Sequence, residues 1–215
     1  MRLLLARHGQ SLWNELRKFQ GTTDVALSDL GRAQAKALGQ ALGRYRVGAA
    51  YVSPMRRAVE TAEIALAEAV VPLTPLDELR ELSLGEWEGC TVDEVRARDG
   101  DPYRAWLKAP LDCPPPGAEP LPDVAARVRR AIDGIAARHP DEDVLLVAHG
   151  GVISVYACDV LGCSFNSLWR LRVDNAGLTV VKPPRLVSLN DTSHLRGDLE
   201  PGQNRRAQVV GAPAP

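Results

Sequence analysis

Two apolar runs in this chain end on the same dipeptide. Leu3-Leu4-Leu5-Ala6 leads through Arg7 into His8-Gly9, and Val144-Leu145-Leu146-Val147-Ala148 leads into His149-Gly150-Gly151. An imidazole serves as nucleophile, proton carrier or metal ligand, and a guanidinium grips two oxygens of an anion at once. A metal site calls for three or four ligands at short, fixed spacings. No HxxxH, HExxH or CxxC is present, and the other histidines, His139 and His194, stand apart. No metal and no cofactor are expected. Arginine beside histidine suits phosphate better: the imidazole attacks phosphorus while fixed cations hold the oxygens.

Such a site has to be placed by its secondary structure. The two runs are apolar without alternation, which predicts strands buried on both faces, as in the middle of a parallel sheet. Ala49-Ala50-Tyr51-Val52 is a third candidate, and Leu168–Val173 with Gly177–Lys182 reads as a late strand pair turning at Asp174-Asn175-Ala176. Residues 29–45 carry a helical stripe of Leu30, Ala33, Ala37, Leu38, Ala41, Leu42 and Tyr45, with Ser28 as N-cap. Ser53-Pro54 reads as a helix start before Ala58, Ala62, Ala65, Leu66 and Ala69. Residues 122–138 repeat the pattern with Val124, Val128, Ala131, Ile132 and Ile135. Strands alternating with such helices imply an α/β fold with a mostly parallel central sheet. Ligands then bind outside the carboxyl ends of the strands, which places both histidines on the working edge.

One unit is expected over 1–189. Six prolines fall within residues 110–122, where an ordered loop or lid is expected, and the polar segment 190–215 reads as a loosely attached tail. The 215 residues carry 26 basic and 27 acidic side chains. That balance argues against binding nucleic acid or a membrane surface by bulk charge, while leaving room for a local cationic pocket. Of the basic residues 22 are Arg and 4 are Lys, a bias for which GC-rich codon usage is the simplest account. The cysteines Cys90, Cys113, Cys158 and Cys163 fit reduced thiols, and MRLLLARHG is too short an apolar run for a signal or membrane segment. A cytoplasmic protein is expected.

The residues around the first histidine add a resemblance. Arg7-His8-Gly9-Gln10-Ser11 with Asn14 resembles the RHGxT/S…N signature of the histidine phosphatase superfamily, which includes the cofactor-dependent phosphoglycerate mutases. The likeness continues through Gln20-Gly21-Thr22-Thr23-Asp24 to Ser28 and Gly31, then Ser53-Pro54-Met55-Arg56-Arg57-Ala58 with Thr61-Ala62. Arg80-Glu81-Leu82 with Gly85 and Ala148-His149-Gly150-Gly151 follow in the same order. The resemblance implies a three-layer α/β/α sandwich with a lid over about 86–122. It implies His8 as nucleophile forming a phosphohistidine, with Arg7, Arg57 and His149 around the phosphoryl oxygens. Glu81 matches the proton donor, and Asn14, Gln20, Gly21 and Gly150 would line the phosphate pocket.

Within that family, mutases carry a long insertion with extra cationic residues between the glutamate and the second histidine. The interval here reads as the Asp93–Asp99 segment, the proline loop and one helix, an expectation without a paired-arginine insertion comparable to theirs. Pro115-Pro116-Gly117-Ala118-Glu119 resembles the PPGGES block of the short phosphatase branch. It departs from that block where Gly-Glu-Ser becomes Ala-Glu-Pro. The expected activity is metal-independent hydrolysis of a small-molecule phosphomonoester. The alternatives are a cofactor-dependent phosphoglycerate mutase and a catalytically idle phosphate-binding domain on the same fold. A homodimer is suggested by analogy alone.

Overall fold

The computed structural model describes residues 1–200. The elements run β1 (Leu3–Arg7), α1 (Leu12–Glu15), α2 (Asp29–Leu42), β2 (Val47–Val52), α3 (Arg56–Ala65) and β3 (Leu73–Pro75). They continue with α4 (Val92–Arg98), α5 (Gly100–Lys108), α6 (Leu121–Arg138), β4 (Asp143–Ala148), α7 (Gly150–Leu161), β5 (Leu178–Lys182) and β6 (Arg185–Asp191). The strands form one sheet in the order β3-β2-β4-β1-β5-β6. The four from β3 to β1 are parallel, and β5 and β6 are added antiparallel. The sheet is mixed, with its parallel part where the two apolar runs lie.

Leu3 to Ala6 and Val144 to Ala148 are almost fully buried because helices cover both faces. Leu4, Ala6, Leu145 and Val147 pack on the layer of α2 and α3. Leu3, Leu5, Val144 and Leu146 face the larger core built with α6, α7 and the 79–106 segment. The three-layer α/β/α expectation holds. β1 and β4 are neighbours in parallel register, with Arg7 opposite Ala148. Each strand is followed by its histidine, so this register alone puts His8 beside His149.

Several local expectations are corrected. α2 ends at Leu42, and its buried face is Gly31, Gln34, Ala35, Ala37, Leu38 and Leu42; Ala37, Leu38 and Leu42 keep their expected places, while Ala33 is exposed. The stripe is rotated because the helix start packs on the 8–11 loop, where Gln34 Oε1 accepts the Gln10 N–H at 2.9 Å. Ser28 does cap this helix, accepting from Gly31 N at 3.1 Å. α3 begins at Arg56 after Met55, not at Pro54, since the Ser53 hydroxyl is used elsewhere. Residues 168–173 form no strand. Phe165–Arg170 is a 3-10 turn that buries Leu168 and sets Trp169 edge-to-face with Trp106 at 4.6 Å between ring centroids. The hairpin partner of β5 is β6, reached through the cis Pro183-Pro184 peptide.

β6 overlaps the segment read as a loose tail. Leu195 is buried in the α2/α3 core, and Gln34 Nε2 donates to the Leu199 carbonyl at 3.3 Å. Residues 190–200 are therefore packed, and residues 201–215 of that segment lie outside the described ones. The 86–122 segment is anchored at its base by aromatic rings. Trp87, Tyr103 and Trp106 pack mutually and on Phe19, with centroids 5.2–6.4 Å apart. No described helix is long and apolar enough to cross a membrane.

Candidate active site

His8 leaves the end of β1 only 2% exposed. Its Nδ1 lies 2.7 Å from its neighbour Gly9's carbonyl oxygen. A carbonyl only accepts, so Nδ1 carries the proton and the neutral ring keeps its lone pair on Nε2. The loop is held from three sides. The His8 N–H donates to the Ala148 carbonyl at 3.0 Å, Gly9 N donates to Thr61 Oγ1 at 3.0 Å, and Asn175 Nδ2 donates to the His8 carbonyl at 3.1 Å.

His149 is fully buried with its ring centroid 5.2 Å from that of His8. Its Nε2 is 2.8 Å from Ser53 Oγ. With that hydroxyl donating, the proton of His149 sits on Nδ1, which has no protein partner. Arg57, 1% exposed, is fixed by donating from Nη1 to the Thr23 carbonyl at 2.8 Å and from Nη2 to the Gly21 carbonyl at 2.9 Å. Arg7 donates from Nη1 to the Val173 carbonyl at 2.7 Å. The Nε atoms of Arg7 and Arg57 are buried without a protein partner, as is His149 Nδ1. A buried donor left unmade costs about 1–3 kcal/mol. Three of them grouped around one imidazole form a preorganised anion site.

Burial drives the titration of this group, and the arginines add to it. Desolvation, then the charges of Arg57 and Arg7, hold His8 well below its usual range, and His149 is lowered in the same way with His8 contributing. Burial lowers Arg57 to about 10, with the Glu81 charge opposing, so it stays a cation at neutral pH. The lowered histidine values mean that the unfolded chain binds more protons than the folded one once the pH falls below about 6.5. Folding stability should therefore fall with pH in that window, each histidine contributing a slope of about 1.4 kcal/mol per pH unit until its folded value is reached. Urea unfolding of the ligand-free chain at pH 7.5 and 5.5 checks this: the loss should shrink in His149→Gln, and an equal loss would contradict it.

Asn14 and Gln20 sit beside the histidine in the same pocket, with Gly21 and Glu81. Ser11 orders both amides: its hydroxyl lies 2.6 Å from Gln20 Oε1 and 3.1 Å from Asn14 Oδ1. The Ser11 N–H and Asn175 Nδ2 also donate to Asn14 Oδ1, so its amide nitrogen is the end turned to the pocket. Glu81 is placed by backbone amides, with Leu82 N donating to Oε1 at 3.1 Å and Gly151 N to Oε2 at 3.2 Å. Gly151 is needed for that approach, because a Cβ there would lie 2.6 Å from Glu81 Oε1. Gly150 starts α7 against Arg7, whose Nε would be 3.4 Å from a Cβ at that position.

All nine residues singled out from the sequence thus fall at one end of β1 and β4 or on the loops that meet there. Glu119, in the departing Ala-Glu-Pro block, lies elsewhere and takes Arg127 in a two-pronged pair at 2.8 and 2.9 Å. Ser53 and Asn175 were read as a helix start and a turn. Their contacts with His149 and His8 link distant parts of the chain, and no local pattern signals them. Among the described residues no cluster of three or more His, Cys, Asp or Glu is arranged to hold a metal.

The model of the histidine phosphatase superfamily, branch 1, matches residues 3–191. Phosphoserine phosphatase 1 of Hydrogenobacter thermophilus is 32% identical over 200 residues, covering 91% of this chain and 94% of that protein. Among solved structures, Bacillus stearothermophilus YhfR superposes with a TM-score of 0.84 at 34% identity, covering 90% of this chain and 98% of that one. A mycobacterial glucosyl-3-phosphoglycerate phosphatase complexed with VO3 gives 0.82 at 32%, covering 89% and 99%. With the His8–His149 pair, the two arginines and Glu81 in place, the chain belongs to the histidine phosphatase superfamily.

Proposed function

We propose that this histidine phosphatase hydrolyses phosphomonoesters of small metabolites without a metal, through a phosphohistidine on His8. The observation that carries the reading is the His8–Gly9 hydrogen bond, which leaves Nε2 unprotonated on a ring neighboured by His149 and by Arg7 and Arg57, all three with buried, unpartnered donors. Nε2 attacks phosphorus and the ester oxygen leaves in line. The Arg7 and Arg57 guanidinium groups, His149 Nδ1–H and the side-chain amides of Asn14 and Gln20 hold the oxygens as charge moves. Glu81 gives its proton to the leaving oxygen. A water then attacks the phosphohistidine, Glu81 takes its proton, and His8 and inorganic phosphate are released. Gly21 and Gly150 shape the pocket through their neighbours: a Cβ at Gly21 would meet the Glu88 carboxylate, and one at Gly150 would press on the Arg7 guanidinium.

Several relatives are named as phosphatases of small phosphorylated compounds, which supports hydrolysis over transfer. The reading includes a single unit that takes in β6 and the segment through Leu199 packed on the α2/α3 layer, a small-molecule partner rather than nucleic acid or membrane, and a cytoplasmic setting, for which the unpaired cysteines speak. The chain is expected to hydrolyse p-nitrophenyl phosphate at an undiminished rate in excess EDTA. With 3-phosphoglycerate it should release inorganic phosphate. Loss of activity in EDTA restored by a divalent cation would overturn metal independence, and 2-phosphoglycerate as main product would establish the mutase instead.

A further inference from the structure

Glu88 lies outside every residue assigned a role above, yet its carboxylate joins two parts of the site. Its Oε1 accepts from Thr22 N at 3.1 Å, Leu84 N at 3.0 Å and Ser83 Oγ at 3.1 Å. Its Oε2 accepts from Thr22 Oγ1 at 3.1 Å and Thr23 Oγ1 at 3.2 Å. Thr22 and Thr23 belong to the loop whose Gly21 and Thr23 carbonyls hold Arg57. Ser83 and Leu84 directly follow Glu81 and Leu82. Backbone bonds of Phe19 with Gly89 and Cys90 tie the bases of the two segments, and beyond them this half-buried carboxylate bridges the loop tips, which have no strand pairing with each other.

We propose that Glu88 is a positioning residue that locks the Arg57-holding loop to the Glu81-bearing loop and so fixes the phosphate grip relative to the proton carrier. The local geometry is built around it. Gly21 has φ +49°, and a Cβ there would run into the Glu88 carboxylate. Trp87, fully buried in the aromatic cluster, anchors the turn that brings Glu88 back onto its own loop. Burial alone would raise this carboxyl, but the bonds from Thr22, Leu84 and Ser83 outweigh it and hold Glu88 below the usual carboxylate range. Its charge also favours the cationic form of Arg57. Glu88 does not touch the reacting atoms; it acts through Arg57 and Glu81.

This proposal rests on the phosphatase reading, and leaving-group dependence separates the two. p-Nitrophenolate leaves without a proton, whereas the alkoxide of glycerol 3-phosphate needs the one from Glu81. A displaced Glu81 therefore penalises the alkyl ester most. In Glu88→Ala, kcat/KM for glycerol 3-phosphate is expected to fall about 100-fold, the cost of a misplaced catalytic group, and that for p-nitrophenyl phosphate by clearly less. Glu88→Gln keeps an oxygen for the Thr22 and Leu84 amides, and the threonine hydroxyls can turn to accept from its NH2. It should recover most of the alkyl activity. Equal losses on both esters in Glu88→Ala, as a smaller folded fraction would give, overturn the proposal, as does unchanged activity. If the wild-type chain hydrolyses neither ester, the phosphatase reading itself fails and Glu88 loses this role with it.

Discussion

Replacing His8 with alanine is expected to abolish turnover of every phosphomonoester, a loss on the order of 10⁵–10⁶ in kcat, as when a covalent nucleophile is removed. The size follows from what remains. Arg7, Arg57 and His149 would still bind an anion, but no lone pair would stand in line with the ester bond. His8 is buried on a loop braced by the Ala148 carbonyl, Thr61 and Asn175, contacts made by its backbone and its neighbour's. The alanine variant should therefore keep its fold and still bind inorganic phosphate. Steady-state kinetics with p-nitrophenyl phosphate and phosphate-dependent thermal protection check the two halves. Residual kcat within tenfold of wild type would exclude His8 as nucleophile.

Arg57→Ala should be the next most damaging change. Its guanidinium does two things: Nη1 and Nη2 hold the Thr23 and Gly21 carbonyls, and buried Nε has no protein partner and is free for an anion oxygen. Removing one preorganised donor at a developing charge costs about 10²–10³ in kcat. Because the pocket loop also loses its brace, KM should rise as well. Lysine should fail to restore activity, since a compact ammonium cannot span two carbonyls and an anion at once. By contrast Arg56, exposed and paired with Glu60 at 2.7 Å, should tolerate alanine with activity close to wild type. Parallel kinetics on Arg57→Ala, Arg57→Lys and Arg56→Ala provide the check; near-wild-type rates in Arg57→Lys would contradict the bidentate role.

The contrast between neighbours Arg56 and Arg57 shows how much of the site was legible. Motif register singled out Arg57, and the structure buries it while leaving Arg56 in solvent. The two unbroken apolar runs announced adjacent buried strands, and their shared His-Gly endings announced a common edge. What the sequence hid was side-chain traffic between distant segments. Ser53 carries a helix-start pattern, yet its hydroxyl serves His149, and α3 starts three residues later. Gln34 and Gly31 occupy the buried face of α2 because the helix meets a polar loop, which hydrophobic periodicity cannot register. β6 is hard to read because an edge strand with one open face alternates weakly, and its last residues, Asn190 and Asp191, fall in the polar segment that reads as tail. Leu168–Val173 patterns as a strand, but Leu168 and Trp169 belong to the 165–170 turn, whose apolar residues pack against α5 and α7 and join no ladder.

The covalent step is the centre of this account, and trapping it is the most direct test. Glu81→Gln lacks the group that activates water but needs no acid to release p-nitrophenolate. Mixed with excess p-nitrophenyl phosphate and quenched in alkali, where phosphohistidine survives, it should release one equivalent of p-nitrophenolate per chain in a burst. Peptide mapping by mass spectrometry should then find one phosphoryl group, on His8 and absent from the His8→Ala/Glu81→Gln chain. A variant that turns over without a burst, or a phosphoryl group carried by any residue other than His8, would contradict the mechanism.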